Sequence, residues 1–302
     1  MTLVAMFPGQ SSRYPEMLSK LATEPACAPI LAEAAAILGG ALPADFTTNR
    51  DVQVGVFLAN HLHLKRLEAA GVTTRWSLGL SLGEYNHLVH IGALAFDDAL
   101  RLVDARGRLY DEATGGLMVS VFPLDAAPIE QAIMRLGLSE RVGVGLYNSP
   151  RQHVLSGDRA AVEQVLAELE TEEYFDATVI EPRIPMHAPC FGATAERFAR
   201  LLADVRFAEP TGVYVPNVRG ALLGRAIATE IRDCLIAHVH RPVRWQASVD
   251  AIAAHVAEPW FVEVGPRGVL HNLFGKDWMP GRRAKTDVAT FDALVQELRD
   301  VR

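Results

Sequence analysis

The sequence predicts an α/β protein in which a parallel-sheet domain is interrupted by a small β-α-β-β-α-β module. Short apolar runs stopped by glycine or proline alternate with stretches of helical periodicity. One such run breaks at a Gly-x-Ser-x-Gly turn and passes directly into a new helix. Beyond Gly115-Gly116 the units shorten into a regular order of strands and helices.

The first run, Leu3 to Phe7, is stopped by Pro8-Gly9 and reads as a buried strand of a parallel sheet. Apolar residues then recur at helical spacing from Pro15 to Leu38 and from Val52 to Ala70, with Gly39-Gly40 and Gly71 as stops. Arg75 to Leu78 is the next strand, and the helix after its turn carries Tyr85, Leu88 and Val89 on one side. Asp97 to Ala113 has an apolar stripe, and Arg106 falls inside it. The module follows: strand 117–122, helix 127–136, strands 142–146 and 153–156, helix 159–169, strand 177–180. This is the ferredoxin-like order, and it places an inserted domain at 119–182 between two parts of a larger domain, 1–118 and 183–302. Helices at 193–202, 228–239 and 248–257 and strands at 213–215 and 260–264 complete the larger part.

Composition narrows the function. Of 302 residues 50% are hydrophobic and 22% charged, the profile of a globular chain rather than a disordered one. The net charge of −7 disfavours a broad nucleic-acid surface. Cys27, Cys190 and Cys234 lie far apart with no CxxC pair, so no disulfide framework or zinc site is expected, and a reducing cytoplasm is. Met1 to Val4 carries no basic n-region and no run of about 18 apolar residues occurs, so neither secretion nor a membrane span is expected.

Three residues could carry chemistry. Gly79-Leu80-Ser81-Leu82-Gly83 would expose the Ser81 hydroxyl on a sharp strand-to-helix turn, with the Leu82 amide aimed at the reacting centre. The five-residue pattern recurs by chance in glycine-rich chains; the flanking strand and helix give it weight. A neutral serine needs a base, and pattern alone does not choose among ten histidines. His187 differs from the others because Pro185 and Pro189 hold it in a stiff, non-helical segment, while a Cys190–His187 pair lacks the elbow. No H-E-x-x-H arrangement points to a metal. Arg106 needs an anion if buried: either a protein carboxylate, unless it snorkels to the surface, or a substrate carboxylate in the cleft of Ser81.

Seven motifs occur in the order of one family. Phe7-Pro8-Gly9-Gln10, Gly79 to Tyr85, Val103 to Leu109, Asn148-Ser149-Pro150, Pro216-Asn217-Val218, Pro242 to Trp245 and Glu263 to Pro266 together resemble the malonyl-CoA:acyl carrier protein transacylases. The resemblance implies an α/β-hydrolase-like large domain carrying a ferredoxin-like insert. It implies Ser81 as acyl-accepting nucleophile, His187 as general base and then acid, and the amides of Gln10 and Leu82 as oxyanion hole. It further implies that the His238 carbonyl orients His187, that Arg106 clamps the acyl carboxylate and that Asn148 contacts the acyl or pantetheine portion. Leu80, Ser11, Arg13 and Met186 depart from the family's usual residues, and Leu80 and Met186 flank the dyad where they shape the acyl pocket.

The expected reaction is ping-pong transfer of a malonyl-type group from coenzyme A to an acyl carrier protein. No metal or redox cofactor is expected, coenzyme A being a substrate, and the chain is expected to be free-standing. Carrier-to-carrier transfer of a larger acyl group, hydrolysis of acyl carriers, and a non-catalytic docking subunit are the alternatives.

Overall fold

The computed structural model describes residues 1–275, 277–287 and 291–299. The chain opens with β1 (Thr2–Phe7), α1 (Ala28–Leu38), α2 (Asn49–Ala69), β2 (Trp76–Gly79), α3 (Gly83–His90) and α4 (Phe96–Asp111). Next come β3 (Gly116–Phe122), α5 (Ala126–Arg135), β4 (Val142–Ser149), β5 (Gln152–Asp158), α6 (Arg159–Leu169) and β6 (Asp176–Glu181). The last part holds α7 (Gly192–Leu202), α8 (Ala228–His240), α9 (Trp245–His255), β7 (Pro259–Glu263), α10 (Val269–Leu273), β8 (Arg282–Lys285) and α11 (Phe291–Arg299).

Two four-stranded sheets organise these elements. The first is parallel in the order β2-β1-β7-β8, with Val4 opposite Trp76, Ala5 opposite Val262 and Trp260 opposite Arg282. Residues Val4 to Phe7 are buried, as expected of a parallel core strand covered on both faces. The second sheet is antiparallel in the order β4-β5-β3-β6. Its own core is formed by residues such as Leu117, Val119, Ile129, Val144, Leu155 and Val165, separate from the main cluster.

α2 crosses the main core almost wholly buried, and its polar residues are used. Asn60 donates to the Pro8 carbonyl and to Asn86 Oδ1 at 3.0 Å, tying the turn after β1 to α3. α4 lies against α2 so closely that a Cβ on Gly107 would stand 2.4 Å from the Arg50 Cα, so only glycine permits the approach that sets the depth of neighbouring Arg106.

Five elements differ from the sequence expectation. The helix foreseen at Pro15 to Leu38 begins only at Ala28; residues 15–27 are turns, because Pro25 lacks an N–H and disfavours helical backbone before it. The strand foreseen at 213–215 is reduced to one bridge, Tyr214 to Leu223, since Val215 donates its N–H to His87 Nε2 and Pro216 follows. β8, α10 and α11 are additional. β8, Arg-Arg-Ala-Lys, has no apolar alternation to betray it.

Candidate active site

The turn after β2 is forced by close packing. A Cβ on Gly79 would meet the Gly83 carbonyl at 2.0 Å, and one on Gly83 the Phe7 carbonyl at 2.0 Å. Between them Ser81 is held at φ 51°, a left-handed conformation that L residues other than glycine seldom adopt. The hydrogen bonds of the turn account for nearly every amide. Leu80 donates to the Phe7 carbonyl, Gly83 to Leu80, Glu84 to Ser81, and Ser81 itself to Asn217 Oδ1 at 2.7 Å. Leu82 N–H and, on the facing loop, Gln10 N–H meet no acceptor among the described residues.

Ser81 Oγ lies 2.8 Å from His187 Nε2. His187, also at positive φ (64°), is fixed by its own N–H on the Val239 carbonyl at 3.0 Å and by Nδ1 on the His238 carbonyl at 2.7 Å. A carbonyl only accepts, so Nδ1 carries the hydrogen and Nε2 presents its lone pair to the serine hydroxyl. Burial, aided by the Arg106 charge, pushes His187 down to about 3, so the imidazole is neutral and ready to accept a proton. Cys190 is exposed, with burial of its surroundings raising the thiol; no hydrogen bond joins it to His187 among the described residues.

Behind the pair lies a second tier. The His238 ring stacks on His187 with centroids 4.8 Å apart, and its Nδ1 is 3.0 Å from Glu84 Oε2. Burial lifts Glu84 to about 8 and drives His238 well below its ordinary value, so both groups favour the uncharged form. Glu84 Oε1 accepts from the Tyr214 hydroxyl at 2.6 Å and from the Asn217 N–H at 3.4 Å.

Arg106 is 1% exposed, and no carboxylate stands within ion-pair distance of it among the described residues. Nη1 donates to Gln53 Oε1 at 2.7 Å, and the guanidinium lies 4.5 Å from the Tyr110 ring centroid. Nε and Nη2 of Arg106 and Nε2 of Gln53 are buried without a hydrogen-bond acceptor. Three unused buried donors around a fixed positive charge suit an anionic group.

Ser81 and His187 share a cavity of about 60 Å³ with Gly9, Gln10, Leu80, Met118, Leu146 and Met186. His187 also borders a 540 Å³ groove against Glu130, Tyr147, Pro189 and Arg241, which Ser81 does not reach. Of the residues singled out in the sequence, Ser81, His187, Gln10, Ser11, Arg13, Leu80 and Met186 line the cavity, while Leu82 and His238 are not among its lining residues, the His238 carbonyl meeting His187 Nδ1 instead. Arg106 and Asn148 do not line the cavity, and Asn148 Oδ1 is buried without a partner among the described residues. Gln53, Glu84, Tyr214 and Asn217 carry contacts that sequence reasoning did not assign. A polar residue inside the apolar face of 52–70 was the only available signal for Gln53. No cluster of three or more metal-ligating side chains and no helix long and apolar enough to cross a membrane occurs among the described residues.

Fold and site define a class, α/β proteins in which a serine on a strand-to-helix elbow is paired with a histidine. The acyl transferase domain family matches residues 25–285. The malonyl CoA-acyl carrier protein transacylase of Salmonella typhimurium is 34% identical over 282 residues, covering 89% of this chain and 90% of that protein. Its counterpart from Escherichia coli strain K12 is 33% identical over 281 residues, with the same coverage. Among solved structures, FabD from Acinetobacter baumannii superposes with a TM-score of 0.92 at 26% identity, covering 100% of this chain and 99% of that one. A malonyl-transacylase in complex with its type II PKS acyl-carrier protein superposes at 0.90 with 27% identity, covering 98% and 100%. The chain belongs to the malonyl-CoA:acyl carrier protein transacylase family.

Proposed function

We propose that this protein moves a malonyl or related acid-bearing acyl group from coenzyme A to the phosphopantetheine thiol of an acyl carrier protein, through an ester on Ser81. The observation that carries the reading is the 2.8 Å contact between Ser81 Oγ and a neutral His187 Nε2, beside amides of Gln10 and Leu82 that bond to nothing else among the described residues. The transferases named among the relatives supply the donor and the acceptor.

Each half-reaction follows from this geometry. Ser81 Oγ forms a bond to the thioester carbon while its proton passes to His187 Nε2. The carbonyl oxygen becomes an oxyanion received by the Gln10 and Leu82 N–H groups. Collapse breaks the carbon–sulfur bond, and His187 returns the proton to the departing thiolate. The carrier thiol then enters, gives its proton to His187 and takes the acyl group, and Ser81 leaves with that proton. These steps use side chains and amides alone and call for no cofactor. Arg106 with Gln53 offers the buried donors for the far carboxylate of the acyl group, which must extend past the residues that line the cavity to reach them.

The cavity of about 60 Å³ holds only a few waters at roughly 10–15 Å³ each, which favours a short acyl group over a bulky one. We assign 1–118 and 183–302 to an α/β-hydrolase-like catalytic part and 119–182 to a ferredoxin-like insert. The parallel and antiparallel sheets support this division, though the insert's first strand already begins at Gly116. Three free cysteines fit a cytoplasmic setting.

Intact-mass measurement after incubation with malonyl-, acetyl- and a longer acyl-CoA tests the reading. A malonyl adduct that is absent from Ser81→Ala supports it. Thioester consumption without an adduct favours hydrolysis, and inertness toward all three removes the enzymatic reading.

A further inference from the structure

Ser81 and His187 stand in left-handed backbone conformations, and something must hold both there. For Ser81 that group is Asn217, which is 1% exposed and follows Pro216 in an irregular segment far away in sequence. Its amide side chain grips the elbow at two points: Oδ1 accepts the Ser81 N–H at 2.7 Å, and Nδ2 donates to the Gly79 carbonyl at 2.6 Å. Asparagine is the side chain that fits, because one end must accept and the other donate across a single turn. The grip also occupies the serine's own amide, leaving the Leu82 N–H as the free donor of the turn.

Asn217 is in turn anchored to the elbow's helix and to the histidine. Its N–H approaches Glu84 Oε1 at 3.4 Å, the same oxygen that accepts from Tyr214 at 2.6 Å. The other carboxyl oxygen, Oε2, faces His238 Nδ1 at 3.0 Å, and His238 both stacks on His187 and bonds its Nδ1. Glu84 thus touches the support of the nucleophile with one oxygen and the support of the base with the other.

We propose that Asn217 is a positioning residue that clamps the Ser81 elbow in its reactive conformation, and that Glu84 ties this clamp to the His238 support of His187. This rests on Ser81 being the nucleophile. Neither side chain touches the reacting atoms; both act through the geometry of Ser81 and His187.

The test uses a fluorophosphonate, which labels an activated serine whatever its natural acyl donor, alongside steady-state transfer from malonyl-CoA. Asn217→Asp keeps the acceptor for Ser81 but turns an oxygen toward the Gly79 carbonyl; Asn217→Ala removes both contacts. Labelling of Ser81 is expected to slow about tenfold in Asn217→Asp and about a hundredfold in Asn217→Ala, a loss typical of misplaced reacting groups. kcat should fall alongside while KM for malonyl-CoA stays within about twofold, a split that general loosening of the fold does not produce. Glu84→Leu removes both oxygens and provides an independent variant should both Asn217 changes prevent folding; it is expected to slow labelling as well, whereas Glu84→Gln, whose amide accepts and donates where the uncharged carboxyl does, is expected to label near the wild-type rate. Folded Asn217 or Glu84→Leu variants labelled at the wild-type rate would overturn the proposal while leaving the Ser81 reading intact. Labelling of the wild type without malonyl transfer would instead defeat the proposed donor and spare the clamp. A wild-type Ser81 that resists the probe would remove both.

Discussion

His187 Nδ1 rests 2.7 Å from the main-chain carbonyl of His238, and this contact decides which nitrogen of the imidazole can take a proton. A carboxylate in that position would add charge to a buried site that already holds Arg106. A carbonyl orients the ring without adding a charge, and the ring stays neutral.

Replacing His187 by alanine should therefore leave the fold and the elbow in place but remove proton transfer. kcat for malonyl transfer is expected to drop about a thousandfold, in the range ordinarily supplied by a positioned general base. Stopped-flow or radiometric transfer assays check it; a drop of less than tenfold would assign the proton to another group.

On the proposed reading Arg106 would join recognition to a cost in stability. A buried cation without a counter-ion is destabilising, so Arg106→Met should raise resistance to denaturant by about 1–3 kcal/mol. The same change should lower malonyl acylation about a hundredfold relative to acetyl, the worth of roughly two charge-assisted hydrogen bonds. Equal loss for both donors, or a loss of stability, would make Arg106 a structural residue.

Gly107→Ala addresses the packing beneath that arginine. The added Cβ meets the Arg50 backbone, so α4 must move away from α2. A destabilisation of about 1–3 kcal/mol is expected from such overpacking, with impaired malonyl selectivity as Arg106 moves. Urea titration and the donor comparison read the two effects.

Stability should peak near pH 6.5. His61, His63, His87 and His187 are held down to about 3 by burial, so below their ordinary 6.5 the unfolded chain binds more protons and stability is lost as pH falls toward 3. Burial pushes Glu84 and Glu263 up to about 8, so their contribution is complete below their ordinary 4.5 and is lost as pH rises through 8. Between 4.5 and 6.5 four histidines outweigh two carboxyls, each group contributing at most about 1.4 kcal/mol per pH unit. Melting temperature against pH measures the balance; a Tm that climbs steadily from pH 6.5 to 8 would contradict it.

What was legible in the sequence was local or periodic. The elbow could be read because glycine at 79 and 83 has a steric cause, and Arg106 because a charge inside an apolar stripe is conspicuous. His187 was distinguishable by its prolines, but its pairing with Ser81 depends on the fold bringing residues 106 positions apart to 2.8 Å. Asn217 and Glu84 were not legible as a clamp. Their partners are backbone groups and side chains on other elements, and neither leaves a periodic trace. β8 was hidden because its pairing with β7 rests on main-chain hydrogen bonds rather than on a pattern of apolar residues.

The most direct measurement is a two-stage transfer. The protein is loaded with malonyl-CoA, freed of excess coenzyme A, and then mixed with a holo acyl carrier protein while both proteins are weighed. The malonyl mass should leave a Ser81-bearing peptide of the enzyme and appear on the carrier, and Ser81→Ala should do neither. Release of free malonate with an unmodified carrier, or a malonyl group mapped to any residue other than Ser81, would contradict the account.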